Sequence, residues 1–499
     1  MSRRIGVFAA LIILLLAAAV VQSANIQFFR ASALDASNLN PRNNQSSSQL
    51  PRGEIIAADG TVLAESVPTS GGYYAYRRVY PLGSLTAGVV GFASPSYGTW
   101  ALEAQYNQYL TSHALPPQSF AQVLAPSTGA DSVTLTLQPA LERVAAAALA
   151  GRDGAAVVID PRTGAVLAMY SNPTYNPAPL ESPYFTVAEA QWKKITTNNA
   201  DGFPPLGELA TQQTFPPGST FKIVTTSGVL AFKPKLFTKS YPVVATIKLP
   251  QSNKTLSNFG FVPCGGTVAQ MLPPSCDPGY AMLGMDLGGQ DLAAEANAYG
   301  FNSVPPIDFP GVQPAYFPPA SSFTYNVPGV AYSAIGQQNV RATALQMALV
   351  AAGVANGGAI MTPHFLDYVT GPDGSIVTRY QDKVWKTPLS TAQAAQILPL
   401  MHAVTEYGTA AGIFPPNLDV GAKTGTAQTG NAAQNTDDWM ITVAPVTHPT
   451  IAVAVVVPYQ VVSDTGAAVA GPIMKCMVEG ALALQAGQPA FGTPTTCAG

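Results

Sequence analysis

Charge is what this 499-residue chain has least of: 10% of its side chains are Asp, Glu, Lys or Arg, against about 25% in an ordinary soluble domain. The formal net charge is −3, so there is no basic footprint and nucleic acid is not an expected partner. Four histidines form no H-x-x-x-H, and no cysteine pair has zinc-finger spacing, so the sequence supports no metal site and no cofactor. The 44 glycines and 44 prolines follow no G-X-Y period, which excludes collagen. No internal repeat is visible. Disorder on a large scale is excluded by the opposite property: 47% of the chain is hydrophobic, enough for a core. At about 150 residues per domain, the length corresponds to roughly three units.

What the chain does have begins at its N-terminus. Arg3 and Arg4 precede a run from Ile5 to Phe29 with no charged side chain. Such a run spans a bilayer as a helix, and the arginines favour a cytoplasmic start. A cleaved signal peptide is the competing reading, but Gln22 stands where cleavage wants a small residue. Residues 1–29 are therefore read as a short tail and single-pass anchor to the cell membrane, with the rest extracytoplasmic. That compartment permits disulfides. Cys264 lies near Cys276, and Cys476 near Cys497. Two local bridges suit this spacing and free buried thiols are the alternative; four cysteines allow three connectivities.

Residues 30–50, rich in Asn, Ser and Gln, read as a linker. Residues 51–150 read as a small β-rich unit. In GEIIAADGTVLAES, Asp59-Gly60 sits between two apolar runs, a hairpin signal. WALEAQYNQYL (100–110) has helical spacing, SVTLTL (132–137) alternates like a strand, and 138–149 reads as a helix. Residues 151–485 read as a larger unit. It opens on a hairpin, GAAVVIDPRTGAVLAMYS, continues through helices such as ATALQMALVAAGVANGG, and ends on WMITVAPV and TIAVAVVVP. That order predicts an α+β domain whose single sheet is built from both chain ends. Residues 486–499 read as a tail.

Three short motifs could carry chemistry. In TFPPGSTFKIVTT, a helix is expected to begin at Ser219, which puts Ser219 and Lys222 on one face. A serine hydroxyl needs a base, and Lys222 serves if burial lowers its pKa. An N-cap Ser with a solvated Lys is the plain alternative, since S-x-x-K arises by composition about once or twice in such a chain. In AKTGTAQTG, Lys423, Thr424, Gly425 and Thr426 fall where a strand is expected. Gly425 would let a ligand backbone approach, and Lys423 with the threonine hydroxyls would hold a carboxylate. Between these motifs, PPSCDPGY places Ser275 and Asp277 two apart, which alone is a common turn pattern. The ordered set S-x-x-K, S-x-x, K-T-G is that of β-lactamases and penicillin-binding proteins.

The resemblance extends over nearly the whole length. RGEIIAADGTVLAES, YPLGSLTAGVVGFAS and ALEAQYNQYL resemble pedestal segments of class B penicillin-binding proteins of the actinobacterial penicillin-binding protein A type. GAAVVIDPRTGAVLAMYSNPTYNP, ATQQTFPPGSTFKI and AIGQQNVRATALQMALVAAGVANGG resemble their transpeptidase domain. The resemblance implies a penicillin-binding/β-lactamase-like fold: an antiparallel sheet with helices on both sides plus an all-helical subdomain, preceded by a membrane helix and a pedestal. It implies a serine D,D-transpeptidase acting on peptidoglycan stem peptides ending in D-Ala-D-Ala and acylated by β-lactams. Ser219 would be nucleophile, Lys222 base and Ser275 proton relay. Lys423, Thr424 and Thr426 would hold the substrate carboxylate, and the N–H groups of Ser219 and Thr426 the oxyanion. Only about 100 residues lie between linker and transpeptidase domain, too few for a glycosyltransferase, so glycan polymerisation would fall to a separate membrane partner.

One residue departs from the family pattern. Asp277 stands where S-x-N has Asn. A carboxylate cannot donate to a substrate amide carbonyl. Between Lys222 and Lys423 it is expected to raise both lysine pKa values and weaken Lys222 as a base. A weakened scaffold or a D,D-carboxypeptidase is therefore the alternative reading. A Cys264–Cys276 bridge would rigidify this loop.

Overall fold

The computed structural model describes residues 2–26, 49–70, 74–114, 128–430 and 435–490. Most of the expected linker, much of the expected tail and Cys497 lie outside the described residues, so a Cys476–Cys497 bridge is not addressed; Cys476 itself is buried. Helix α1 (Ser2–Ala24) contains a stretch, Gly6–Ala24, of mean hydropathy 2.6 with none of it buried. It is long and apolar enough to cross a bilayer.

Strands β1 (Ile55–Ile56) and β2 (Val62–Pro68) form the expected antiparallel hairpin, with Gly60 at φ +83° in its turn. β3 (Tyr76–Val79) pairs with β2, and β4 (Ser132–Leu135) lies parallel to β1. Two later strands, Leu366–Thr370 and Ile376–Arg379, complete a six-stranded sheet against β4. The helical stretch expected over 100–110 is two short helices, Leu102–Gln105 and Asn107–Leu110. They part at Tyr106, whose hydroxyl is drawn away to the Asp308 carboxylate.

Glu103 anchors this unit. Its carboxylate, fully buried, meets Arg52 Nη2 at 2.9 Å and Arg78 Nε at 2.6 Å. Arg78 also donates to the Gly53 carbonyl at 2.8 Å. Burial alone would push the carboxyl up, but the two guanidinium groups outweigh it and hold Glu103 below its usual value. Removing one charge strands the other two in the interior. Glu103→Gln is therefore expected to cost about 3–5 kcal/mol in chemical denaturation. A loss below ~1 kcal/mol would show that water screens the cluster.

The larger unit is built on five antiparallel strands: β5 (Gly154–Ile159), β6 (Val166–Asn172), β7 (Gly421–Gln428), β8 (Thr436–Ala444) and β9 (Ile451–Gln460). Their order is β6-β5-β9-β8-β7, so both chain ends meet in one sheet, as expected. Every residue of β5 and β8 is buried, which means that both sheet faces are covered and explains the unbroken apolar runs. α2 (Lys222–Phe232), α3 (Asp277–Leu287) and α4 (Ala344–Ala355) lie between the two halves of the sheet in sequence, and α4 packs on β9. The C-terminal helix α5 (Gly466–Gln485) packs on β8 and β9. Its hydropathy would also suit a membrane, but more than half of it is buried against protein. β7, the K-T-G strand, is left at the edge of the sheet.

Candidate active site

The site forms where the start of α2, the start of α3 and the edge strand β7 converge. Ser219 does not open an α-helix. It sits in a 3₁₀ turn, Gly218–Phe221, and the α-helix begins at Lys222. Pro216 and Pro217 fix the approach to this turn, and Gly218 takes φ +52°, which glycine adopts without strain. The turn is pinned on two sides. Gly218 N–H donates to the Gly336 carbonyl at 3.0 Å, and Trp439 Nε1 donates to the Pro216 carbonyl at 2.9 Å.

Gly425 plays a different part from the one expected. A Cβ there would lie 2.8 Å from the Pro217 carbonyl oxygen, 3.0 Å from Thr220 Cγ2 and 3.2 Å from Trp439 Cβ. The bare backbone lets β7 press against the serine turn, so the space is filled by the protein and not by a ligand.

At this junction one hydroxyl links two ammonium groups. Ser275 Oγ accepts from Lys423 Nζ at 2.8 Å and from Lys222 Nζ at 3.2 Å. Lys222 Nζ also donates to the Ser275 carbonyl at 2.7 Å and to Asp277 Oδ1 at 2.6 Å. Lys423 Nζ donates to its neighbour's carbonyl, Thr424 O, at 2.9 Å. Ser219 Oγ lies 3.5 Å from Asp277 Oδ1 and makes no hydrogen bond to Lys222 among the described residues. Ser275 takes φ +59°, an uncommon conformation for a residue with a side chain. Its loop is clamped by a disulfide between Cys264 and Cys276, one of the pairings the spacing permits.

Ser219, Ser275, Asp277, Thr424 and Thr426 line a cleft of about 1690 Å³. Lys222 and Lys423 lie behind its wall, both 0% exposed, and Gly425 is buried beneath the serine turn. The Thr424 hydroxyl bonds that of Thr409 at 2.6 Å, and the Thr426 hydroxyl accepts from Gly466 N–H at 2.9 Å. Tyr332, Tyr407 and Phe261 form other parts of the cleft surface.

The lysines titrate in the direction opposite to the one expected from Asp277. Burial lowers Lys222 and outweighs the pull of the carboxylate. Lys423 is pushed well below the ordinary lysine value, first by burial and then by the charge of Lys222, with Asp277 opposing. A low-dielectric pocket penalises an ammonium more than a single, partly solvated carboxylate repays. The downward shift brings both lysines closer to the neutral form that a base must have.

Sequence reasoning missed several supporting groups. Tyr280 places its ring 5.3 Å under Lys222 Nζ and bonds the Thr226 hydroxyl at 2.8 Å. Asn258 Oδ1 accepts from Asp277 N–H at 3.1 Å. Trp439, Gly336 and Gly466 hold the turn and strand together. At Gly336 and Gly466 a side chain would strike the Gly218 or Gly425 carbonyl, a constraint that only the folded chain reveals. The others are single residues without a spacing pattern.

Residues 154–479 match the penicillin binding protein transpeptidase domain, and residues 52–134 match the penicillin binding protein A dimerisation domain. The chain is 33% identical to the peptidoglycan D,D-transpeptidase PbpA of Mycobacterium tuberculosis, over 96% of this chain and 98% of that protein. It is 34% identical to the protein of the same name from Mycolicibacterium smegmatis, with the same coverage. Among solved structures, the imipenem acyl-enzyme of penicillin-binding protein A from M. tuberculosis is 30% identical and superposes with a TM-score of 0.78 over 88% of this chain and 100% of that one. The penicillin G acyl-enzyme is 31% identical, with a TM-score of 0.77 over 87% and 99%.

Proposed function

From the premise that this chain belongs to the penicillin-binding protein transpeptidase family, we propose that it is a membrane-anchored peptidoglycan D,D-transpeptidase. The observation that carries the reading is the Ser275 hydroxyl shared by two buried lysines, beside a serine at the wall of a large cleft.

The geometry supports the following reaction. The Ser219 hydroxyl attacks the carbonyl of the penultimate D-Ala of a stem peptide, and its proton passes to neutral Lys222. The N–H groups of Ser219 and Thr426 receive the developing oxyanion. Ser275, within reach of both ammonium groups, hands a proton to the departing D-Ala amine. The substrate's terminal carboxylate rests against the hydroxyls of Thr424 and Thr426. Lys423 stands behind them, its Nζ bonded to Ser275 Oγ and the Thr424 carbonyl, and holds this wall in place rather than touching the substrate. The amine of a neighbouring stem then attacks the ester on Ser219, which forms the cross-link and frees the serine. A β-lactam enters the same path, its ring amide replacing the D-Ala-D-Ala bond.

Helix α1, long and apolar enough to cross a bilayer, supports a membrane anchor. In our reading it crosses once, the cleft faces the extracytoplasmic side, and a separate membrane glycan polymerase supplies the strands. The chemistry is tested by incubating the native protein with a stem peptide ending in D-Ala-D-Ala and an acceptor amine. D-Ala release together with a cross-linked product is expected, and Ser219→Ala should remove both. Persistence of either in that variant would end the assignment.

A further inference from the structure

The exchange of a carboxamide for a carboxylate in the S-x-N position has a consequence beyond weaker substrate contacts. Asp277 Oδ1 lies 2.6 Å from Lys222 Nζ and 3.5 Å from Ser219 Oγ, so it touches both partners of the nucleophilic pair. Its side chain is 24% exposed and lines the cleft, whereas that of Lys222 is 0% exposed. Water in the cleft therefore meets Asp277 and not Lys222. The carboxylate is also held firmly. Its residue opens α3, its N–H is fixed by Asn258 Oδ1 at 3.1 Å, and the preceding residue is bridged to Cys264.

An ionised carboxylate only accepts hydrogen bonds. A water lodged between Asp277 and an ester on Ser219 must point a hydrogen at the carboxylate and a lone pair towards the ester carbonyl. A carboxamide at this place cannot take that proton. We infer that Asp277 is a general base for hydrolysis of the acyl-enzyme, which gives this protein a D,D-carboxypeptidase and β-lactam-hydrolysing activity beside cross-linking. The inference rests on Ser219 as nucleophile.

The protons balance in one circuit. Water attacks the ester carbon and gives a proton to Asp277. The bond from carbon to Ser219 Oγ breaks. The proton passes from Asp277 Oδ1 to Ser219 Oγ, 3.5 Å away, which restores the free serine and the carboxylate. One water is consumed, and the product is a stem peptide shortened by one D-Ala, or a ring-opened β-lactam acid. A carboxylate next to the nucleophile's lysine, acting through water, is also the accepted deacylation device of class A β-lactamases.

The test separates acylation from its reversal by water. Native protein and Asp277→Asn are labelled with a fluorescent penicillin, excess drug is removed, and the labelled fraction is followed with time. The initial labelling shows that each protein is folded and that Ser219 reacts. The native label is expected to decay about 10²-fold faster than that of the variant, within the range for a positioned base. Equal decay rates overturn the inference and leave the nucleophile assignment intact. No labelling of the native protein, with the penicillin left unhydrolysed, overturns the nucleophile assignment itself.

Discussion

Lys222→Arg is expected to lower the rate of acylation by fluorescent penicillin by about 10²–10⁴-fold while leaving the protein folded. Arginine keeps a positive charge facing Asp277, so the ion pair at 2.6 Å has a successor. It cannot give up a proton at any relevant pH, so it cannot serve as a base. Lys222→Ala should be equally slow and less stable as well, since Asp277 and Ser275 lose their partner at 2.6 and 3.2 Å. The pair of variants separates a chemical role from a structural one. The pH profile gives an independent check. Burial lowers Lys222 below the ordinary lysine value, so its neutral form appears at lower pH than in a free lysine. Acylation by the native protein should therefore rise with pH through a range below the usual lysine titration. Acylation at the native rate by the Lys222→Arg protein would remove Lys222 from the mechanism.

Gly425→Ala is expected to lower acylation by at least ~10-fold and to cost about 1–3 kcal/mol of stability, the usual range for overpacking. The added methyl would stand 2.8 Å from the Pro217 carbonyl and 3.0 Å from Thr220 Cγ2. Neither can retreat easily. Thr220 is fully buried, and the peptide before Pro217 is held through Pro216 by the Trp439 indole at 2.9 Å. The strain resolves by moving β7 away from the serine turn, which carries Thr426 away from Ser219. If Gly425 served only to admit a ligand backbone, the methyl would weaken substrate binding and leave the denaturation midpoint unchanged. A stable variant with normal acylation would contradict the packing account.

The sheet is legible in the sequence because its strands carry strong local signals. Asp160-Pro161-Arg162-Thr163-Gly164 interrupts two apolar runs, and the hairpin of β5 and β6 forms around it. The late runs of valine and alanine have no polar alternation, as befits strands covered on both faces. The strands at 366–370 and 376–379 join the N-terminal sheet without any sequence signal for it, because nothing local to a strand says which edge it will meet. The site is legible to the extent that it is written in motifs: Ser219, Lys222, Ser275, Asp277 and Lys423 all arrive at one place. The direction of the lysine shifts is not, since the sequence shows the carboxylate two residues from Ser275 but not the depth of the pocket. Burial belongs to the tertiary structure and here exceeds the charge effect. Tyr280 and Asn258 escape for a related reason, being ordinary residues made relevant only by where α3 and its preceding loop come to rest.

The central claim is that the Ser219 hydroxyl is the group that becomes acylated. Mass spectrometry of the protein after brief exposure to a penicillin, followed by peptide mapping, tests it in one step. The account predicts a single adduct with the mass of the intact drug, on the peptide that contains Ser219. An adduct on any other peptide, or an unmodified folded protein that leaves the penicillin intact, would contradict it.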